Sequence, residues 1–230
     1  MVSNLTEVPR AETEVAIVEA ARDLLAEGGL DALSMRAVAA RVGVSATAIY
    51  HYFDSKQAMV DRVVLSGFRR FLAYLTAAAE KVSEDSPDRL HALGLAYLRF
   101  ALENRQYFRI MFTIQPEDPR AIEELPGGGG YDLLLQSVER AMEAGHIRRA
   151  DPDLVAFYLW SHVHGLATLC LACDFELSGC ESDPLEAFGR FREFIRDGLR
   201  PRVISETSEF PRAVSDGASA HTESGTASSA

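Results

Sequence analysis

The run from Ser34 to Lys56, SMRAVAARVGVSATAIYHYFDSK, leaves fewer structural choices than any other part of the chain. Ser34 is placed to accept a hydrogen bond from a free backbone N–H at the start of a helix. Met35, Val38, Ala39 and Val42 recur at helical spacing, so one face of that helix is expected to be buried. Gly43 follows, where a residue without a Cβ can stop a helix in the left-handed conformation, and Ser45 can cap a second helix at once. Ala39, four residues before Gly43, is small enough to let two helices approach. Ile49, with Val44, is positioned to fill the space between them, and Phe53 closes the run. Two short helices meeting at a glycine turn form a helix-turn-helix, whose second helix can enter the major groove of DNA.

The outer face of that second helix carries Ala46, Thr47, Tyr50 and His51, which are small or polar and have little to bury. Charge narrows the reading. The 230-residue chain has a net charge of −11, and a polyanion repels another polyanion except where its own charge is locally reversed. From Ala32 to Phe53 there is no Asp or Glu, while Arg36 and Arg41 are present and Lys56 follows shortly after.

With these residues in place, GVSATAIYHYFDSK resembles the recognition-helix signature of the tetracycline-repressor-like (TetR-type) transcriptional regulators. The preceding IVEAARDLLAEGG resembles that family's first helix, and the likeness runs from about Val15 to Val64. The resemblance implies an all-α homodimer: an N-terminal three-helix helix-turn-helix domain, then a helical domain that binds a small effector and dimerises. It also implies that positions matching Ser34, Arg36, Ser45, Thr47, Tyr50, His51 and Lys56 lie at the duplex. Tyr50, His51 and Lys56 suit phosphates, Thr47 suits base edges through its hydroxyl or methyl, and Arg36 suits either. The plain alternative is that Tyr50 and Tyr52 are partly buried aromatics and that Ser34 and Ser45 serve only as caps.

The rest of the chain reads as helices. Met1 to Arg10 looks like a loose arm, and Thr13 to Glu27 an amphipathic brace ended by Gly28 and Gly29. Ser55 caps a long helix to about Val82, and Ser86 and Pro87 open another that Asn104 breaks. A short helix through Met111 leads to a loop, Gln115 to Gly130, expected to be mobile. Tyr131 to Ala144 is the next helix. Asp151 with Pro152 opens a helix whose segment Leu154 to Cys173 lacks charged residues, and Pro184 to Leu199 is the last. The organisation expected is residues 1–55 for DNA binding, 56–202 for ligand binding and dimerisation, and 203–230, rich in Ser, Thr, Ala and Gly, as a disordered tail. The helices Asp151 to Phe175 and Pro184 to Arg200 are the expected dimer elements.

Leu154 to Cys173 approaches bilayer-spanning length, but acids flank it, no basic anchor adjoins it, and it contains Ser161, His162, His164 and Thr168. A core or interface helix, covered on nearly every side, is the expectation, with no membrane partner. Trp160 to Gly165, W-S-H-V-H-G, resembles a Trp-His-Gly segment of one subset of TetR-type C-terminal domains. Trp160 and His164, four apart on one helical face, either line a largely apolar effector cavity with Tyr97, Phe100, Phe108, Met111 and Phe112 or are ordinary core residues. Cys170, Cys173 and Cys180 are too few and too odd in number for a disulfide framework and incomplete for zinc, so buried small hydrophobes are the default and no metal or cofactor is expected. No enzyme motif stands out, since Gly127 to Gly130 follows no strand and has no phosphate-gripping Lys. The expected function is a cytoplasmic, ligand-responsive repressor that binds a palindromic operator as a homodimer. The alternative is a helical small-molecule-binding or protein-interaction module that has lost DNA binding.

Overall fold

A computed structural model describes residues 10–125, 128–172 and 183–199, and every regular element among them is helical. The helices are α1 (Arg10–Ala32), α2 (Met35–Val42), α3 (Ala46–Tyr50), α4 (Lys56–Ala79), α5 (Arg89–Glu103), α6 (Arg105–Thr113), α7 (Arg120–Glu123), α8 (Tyr131–Glu143), α9 (Pro152–Ala172) and α10 (Pro184–Leu199). The local signals act where they were expected. Ser34, Ser45 and Ser55 each accept a hydrogen bond from the amide three residues on, at 3.1, 3.1 and 3.0 Å. Gly43 stops α2 with φ 82°. Gly28 and Gly29 break the helical conformation inside α1 (φ −147° and 64°), so its last residues turn away toward α2.

One face of each early helix feeds a single core. Ile17 and Ala21 of α1, Val38 of α2 and Ile49 of α3 are fully buried, as are Met59, Val60, Val63 and Val64 on α4. The same cluster continues through Phe71 to Leu98 and Phe100 on α5 and Val163 and Leu166 on α9. Each of the larger side chains among them contributes about 1.5–3 kcal/mol by leaving water. α4 therefore has the three-helix unit on its first half and the C-terminal bundle on its second. A smaller cluster joins α8, the start of α9 and the end of α10 through Val138, Met142, Val155, Ala156 and Leu199.

Three expectations change. The segment Gln115–Gly130 is not simply a loop: it contains α7, and Gly128, Gly129 and Gly130 all have positive φ (54°, 66° and 109°). Gly129 and Gly130 are buried, and a Cβ on Gly130 would stand 2.9 Å from Leu75 and 3.0 Å from Phe71, so only glycine lets this turn lie against α4. Arg10 belongs to α1 rather than to an arm, because its guanidinium meets the Tyr52 ring (5.5 Å) and the carbonyl of His51 (3.3 Å). α9 has the length and hydropathy of a membrane span, yet within one chain it is not covered on nearly every side. It packs on α5, α8 and α10 through Val155, Val163 and Leu166, while Leu154, Phe157, Tyr158 and Leu169 face outward, as does Phe194 of α10. The expected tail, Cys173 and Cys180 lie outside the described residues, as do residues 1–9 of the expected arm. Cys170 is half-buried, and no group of potential metal ligands occurs among the described residues.

Candidate functional site

The helix-turn-helix is organised from the inside out. Ile49 is fully buried, and Val44, half-buried, packs on the same core as Val38 and Ala39. With that edge of α3 committed, Thr47, Tyr50 and His51 must point the other way, and all three are exposed, Tyr50 to 55%. Ser34, Arg36, Ser45 and Lys56 are exposed as well. All seven candidate DNA residues thus lie on the surface of α2, α3 and their flanks. The caps constrain two of them, since the Ser34 and Ser45 hydroxyls already accept from Ala37 and Ala48. Lys56 donates to the carbonyl of Leu30, so its ammonium is moored to the end of α1.

Sequence reasoning missed two features of this surface. Arg41 forms a bidentate pair with Glu27 at 2.9 and 2.9 Å, so a segment free of acids in sequence borrows one from α1 in space. The pairing holds the Glu27 carboxyl below its ordinary range. Arg36 carries no such pair among the described residues. Arg10, beside His51 and Tyr52, adds a cation at the end of α3 that no local pattern could signal, because 41 residues separate it from His51.

α1 is bolted to the bundle by a charged cluster. The Tyr107 hydroxyl on α6 donates to Glu19 of α1 (2.9 Å), which also pairs with Arg22 and with Arg70 of α4 (3.3 Å). The guanidinium carbons of Arg22 and Arg70 stand 5.2 and 5.1 Å from the Tyr107 ring centre, within cation–π range. Burial and the bond to Glu19 push the Tyr107 phenol up to about 12, against the pull of the two arginines. Gly67 makes room: a Cβ there would come within 3.3 Å of Tyr107 and 3.4 Å of the Met111 sulfur.

The C-terminal bundle encloses a cavity of about 610 Å³ with mostly apolar walls, within the range of about 300–1,000 Å³ seen for small-molecule sites. Of the seven candidate ligand residues, Tyr97, Phe112 and Trp160 line it. Phe100, Phe108, Met111 and His164 do not. Phe100 is fully buried against Phe71 and Tyr74, and Phe108 and Met111 are core residues of α6. His164 stands behind the wall, its Nδ1 2.7 Å from the Tyr97 hydroxyl, which also accepts from Trp160 Nε1 at 3.3 Å. Because an indole N–H only donates, the Tyr97 proton is free to go to His164, giving a chain from Trp160 to Tyr97 to His164 with every group neutral. Burial lowers the His164 pKa and drives the Tyr97 phenol far above its usual value, so both stay neutral at pH 7. The i, i+4 spacing of Trp160 and His164 serves to grip one tyrosine from α5 between them. Phe68, Phe71 and Leu75 of α4, Tyr131 and Leu134 of α8, and Phe188 and Arg192 of α10 complete the lining. Nothing in the local sequence pattern distinguishes these residues, which face a void, from those that face solid core.

Two family models match the chain. Residues 17–63 match that of the bacterial regulatory proteins of the tetR family, and residues 90–194 match the tetracyclin repressor-like C-terminal domain. Among curated proteins, the chain is 34% identical over 61 residues to the HTH-type transcriptional regulator UidR of Escherichia coli K12, covering 26% of this chain and 31% of UidR. It is 28% identical over 112 residues to the HTH-type transcriptional repressor KstR2 of Mycolicibacterium smegmatis, covering 48% of this chain and 51% of KstR2. The chain spans about a quarter to a half of the length of the curated relatives it matches. A solved bacterial regulatory protein of the tetR family from Rhodococcus RHA1 has the same fold, with a TM-score of 0.67 and 22% identity over 83% of this chain and 98% of that one.

Proposed function

Because the chain belongs to the tetR family of bacterial regulatory proteins, we propose that it is a DNA-binding transcriptional repressor, acting in the cytoplasm as a homodimer on a palindromic operator and released by a small, largely apolar effector. One observation carries this reading: Thr47, Tyr50 and His51 project from a short helix whose opposite edge, at Ile49, is wholly buried. In this reading Tyr50, His51 and Lys56 hold phosphates, Thr47 meets base edges, Arg36 serves either purpose, and Ser34 and Ser45 add donors at the helix starts. Residues 1–55 form the DNA-binding unit and 56–202 the ligand-binding and dimerising unit, with 203–230 as a tail. The apolar outer face of α9 and Phe194 of α10 supply the dimer contact, which sets the two α3 helices about 34–36 Å apart for successive major grooves.

The effector occupies the cavity beside Tyr97, Phe112 and Trp160. It works through α4, whose Phe68, Phe71 and Leu75 form part of the wall and whose first residue follows α3 closely. A ligand that binds the two dimer geometries with different affinity shifts the spacing and thereby the DNA affinity. The test is a salt titration on operator-containing and random DNA. Lys56→Ala should weaken binding to all sequences and reduce the salt slope by about one unit, whereas Thr47→Ala should change the preference among operators. Failure to bind any DNA at low salt would replace this reading with that of a helical binding module, which the net charge of −11 favours.

A further inference from the structure

The cavity wall has two chemically distinct parts. At one, Phe68, Phe112, Trp160 and Tyr131 form a continuous run of rings, with neighbouring centroids 6.0, 6.4 and 6.2 Å apart. At the other, α10 docks into a notch on α5. Phe188 stacks on His91 (5.4 Å, planes within 6°), and a Cβ on Gly94 would fall 2.3 Å from the Phe188 ring. One turn further along α10, Arg192 lines the cavity and pairs with Asp88, the residue before α5. Arg192 and Asp88 both lie close enough to act on the His91 charge.

This second part is rich in donors and poor in acceptors. A guanidinium has five N–H groups, and Asp88 is the one carboxylate paired with Arg192 among the described residues. His91 makes a ring contact and feels neighbouring charges, but neither of its nitrogens has a hydrogen-bond partner there. A purely hydrocarbon ligand would cover these donors and leave them unmatched, which is costly. Asp88 itself is loosely committed. Its side chain is 56% exposed, and it occupies the N-cap position of α5 without making a capping bond. Were another carboxylate to take its place on Arg192, Asp88 could turn to water or to the free amides at the helix start. Arg192 would then still face one carboxylate, with the Asp88 charge carried by water or by the start of α5.

We propose that the ligand of this cavity is an apolar monocarboxylate, its hydrocarbon body among Phe68, Phe112, Tyr131 and Trp160 and its carboxylate on Arg192, with His91 as a second donor. The exchange of carboxylates opens the ion pair joining α5 to α10, so occupancy is felt at one of the two helices proposed to hold the dimer together. This inference rests on the reading of the cavity as the effector site.

Trp160, the one tryptophan of the chain, lies in the cavity wall and reports on it by fluorescence. Decanoate and 1-decanol, titrated into the full-length protein, present the same body with and without the charged head. Decanoate should bind about tenfold or more tightly than 1-decanol, the scale of a hydrogen bond to a charged group. Arg192→Met should abolish that preference while keeping 1-decanol binding. Asp88→Asn, which removes the competing carboxylate, should tighten decanoate severalfold and leave 1-decanol unchanged, a gain that a misfolded variant could not produce. Equal binding of the two probes, a preference that survives Arg192→Met, or weaker decanoate binding by Asp88→Asn each overturns the proposal and leaves the effector cavity standing. If neither probe perturbs Trp160, the proposal and the effector reading of the cavity fall together.

Discussion

Tyr97 and Tyr107 lie ten residues apart, are 5% and 3% exposed, and sit in opposite kinds of chemistry. Tyr107 is held by charge, with Glu19 accepting from its hydroxyl and Arg22 and Arg70 near its ring. Tyr97 is held without charge, between an indole N–H and a neutral imidazole. The difference follows from what each must do. The Tyr107 cluster joins α1 to α4 and α6 at a half-open edge, where side chains of 19–49% exposure keep much of their hydration and ions are tolerable. The Tyr97 chain stands in the aromatic part of the cavity wall, away from Arg192, where an ion with no charged partner would be stranded whenever the cavity filled. There the polar groups satisfy one another and present the cavity with rings. One tyrosine ties the helix-turn-helix unit to the bundle, and the other keeps the polar groups of the cavity wall satisfied among themselves.

Truncation should separate the two most strongly. Tyr107→Ala removes a packed ring and both arginine contacts and strands Glu19 between two cations without its phenol, so a loss of about 3–5 kcal/mol in urea unfolding is expected. Tyr97→Ala should cost less, because one side of its ring already borders a 610 Å³ void and fewer contacts disappear. If Tyr97→Ala is the more damaging, its ring is packed on both sides in solution and does not border the cavity.

Removing only the hydroxyl should reverse that order. Tyr97→Phe leaves the Trp160 N–H and His164 Nδ1, on two half-buried side chains, without their partner and is expected to cost about 1–3 kcal/mol. Tyr107→Phe leaves Glu19 its two arginines and should cost about 1 kcal/mol or less, with the remainder falling further in 1 M salt. Matched unfolding curves for the four variants give the comparison directly, and the absence of a reversal would place an unseen partner on Tyr97.

The two regions also differ in how far they could be read from sequence. Around α2 and α3 the determinants are local: a serine and the amide three residues on, a glycine that needs positive φ, an apolar period of one or two turns. Cap, stop and buried edge were therefore all legible, and the exposed face followed by subtraction. Arg41 stands in a stretch without acids, and its partner Glu27 is not visible there because it sits 14 residues away on another helix. The cavity depends on contacts of that long-range kind throughout. Phe108 and Phe112 lie one turn apart on α6 and look alike in sequence, yet only Phe112 reaches the void. His164 resembles a ligand-binding residue by type and spacing, but its ring nitrogen is turned to Tyr97. Arg192 and Phe188 fall within the last helix expected from sequence, Pro184 to Leu199, while their place in the cavity wall depends on Gly94 and Asp88, about 100 residues earlier.

The smallest effect expected is one of pH, and it belongs to Tyr97's side alone. His164 has its pKa lowered by burial, and the rings facing it, from Tyr97, Phe108, Phe112 and Trp160, bring no charge to offset that. Its unfolded form protonates near pH 6.5 while the folded form still resists, so the unfolded state binds more protons as pH falls below about 6.5. Stability should therefore decline from pH 7 toward 5. His91, whose pKa is lowered first by burial and then by Arg192, contributes with the same sign. His164→Gln offers Tyr97 an acceptor that does not titrate in this range, and it should flatten part of the decline in thermal midpoint between pH 6.5 and 5 while His91→Gln flattens another part. An unchanged slope in His164→Gln would mean that burial does not keep this imidazole neutral in the folded chain, and the contrast with Tyr107 would then rest on packing rather than on charge.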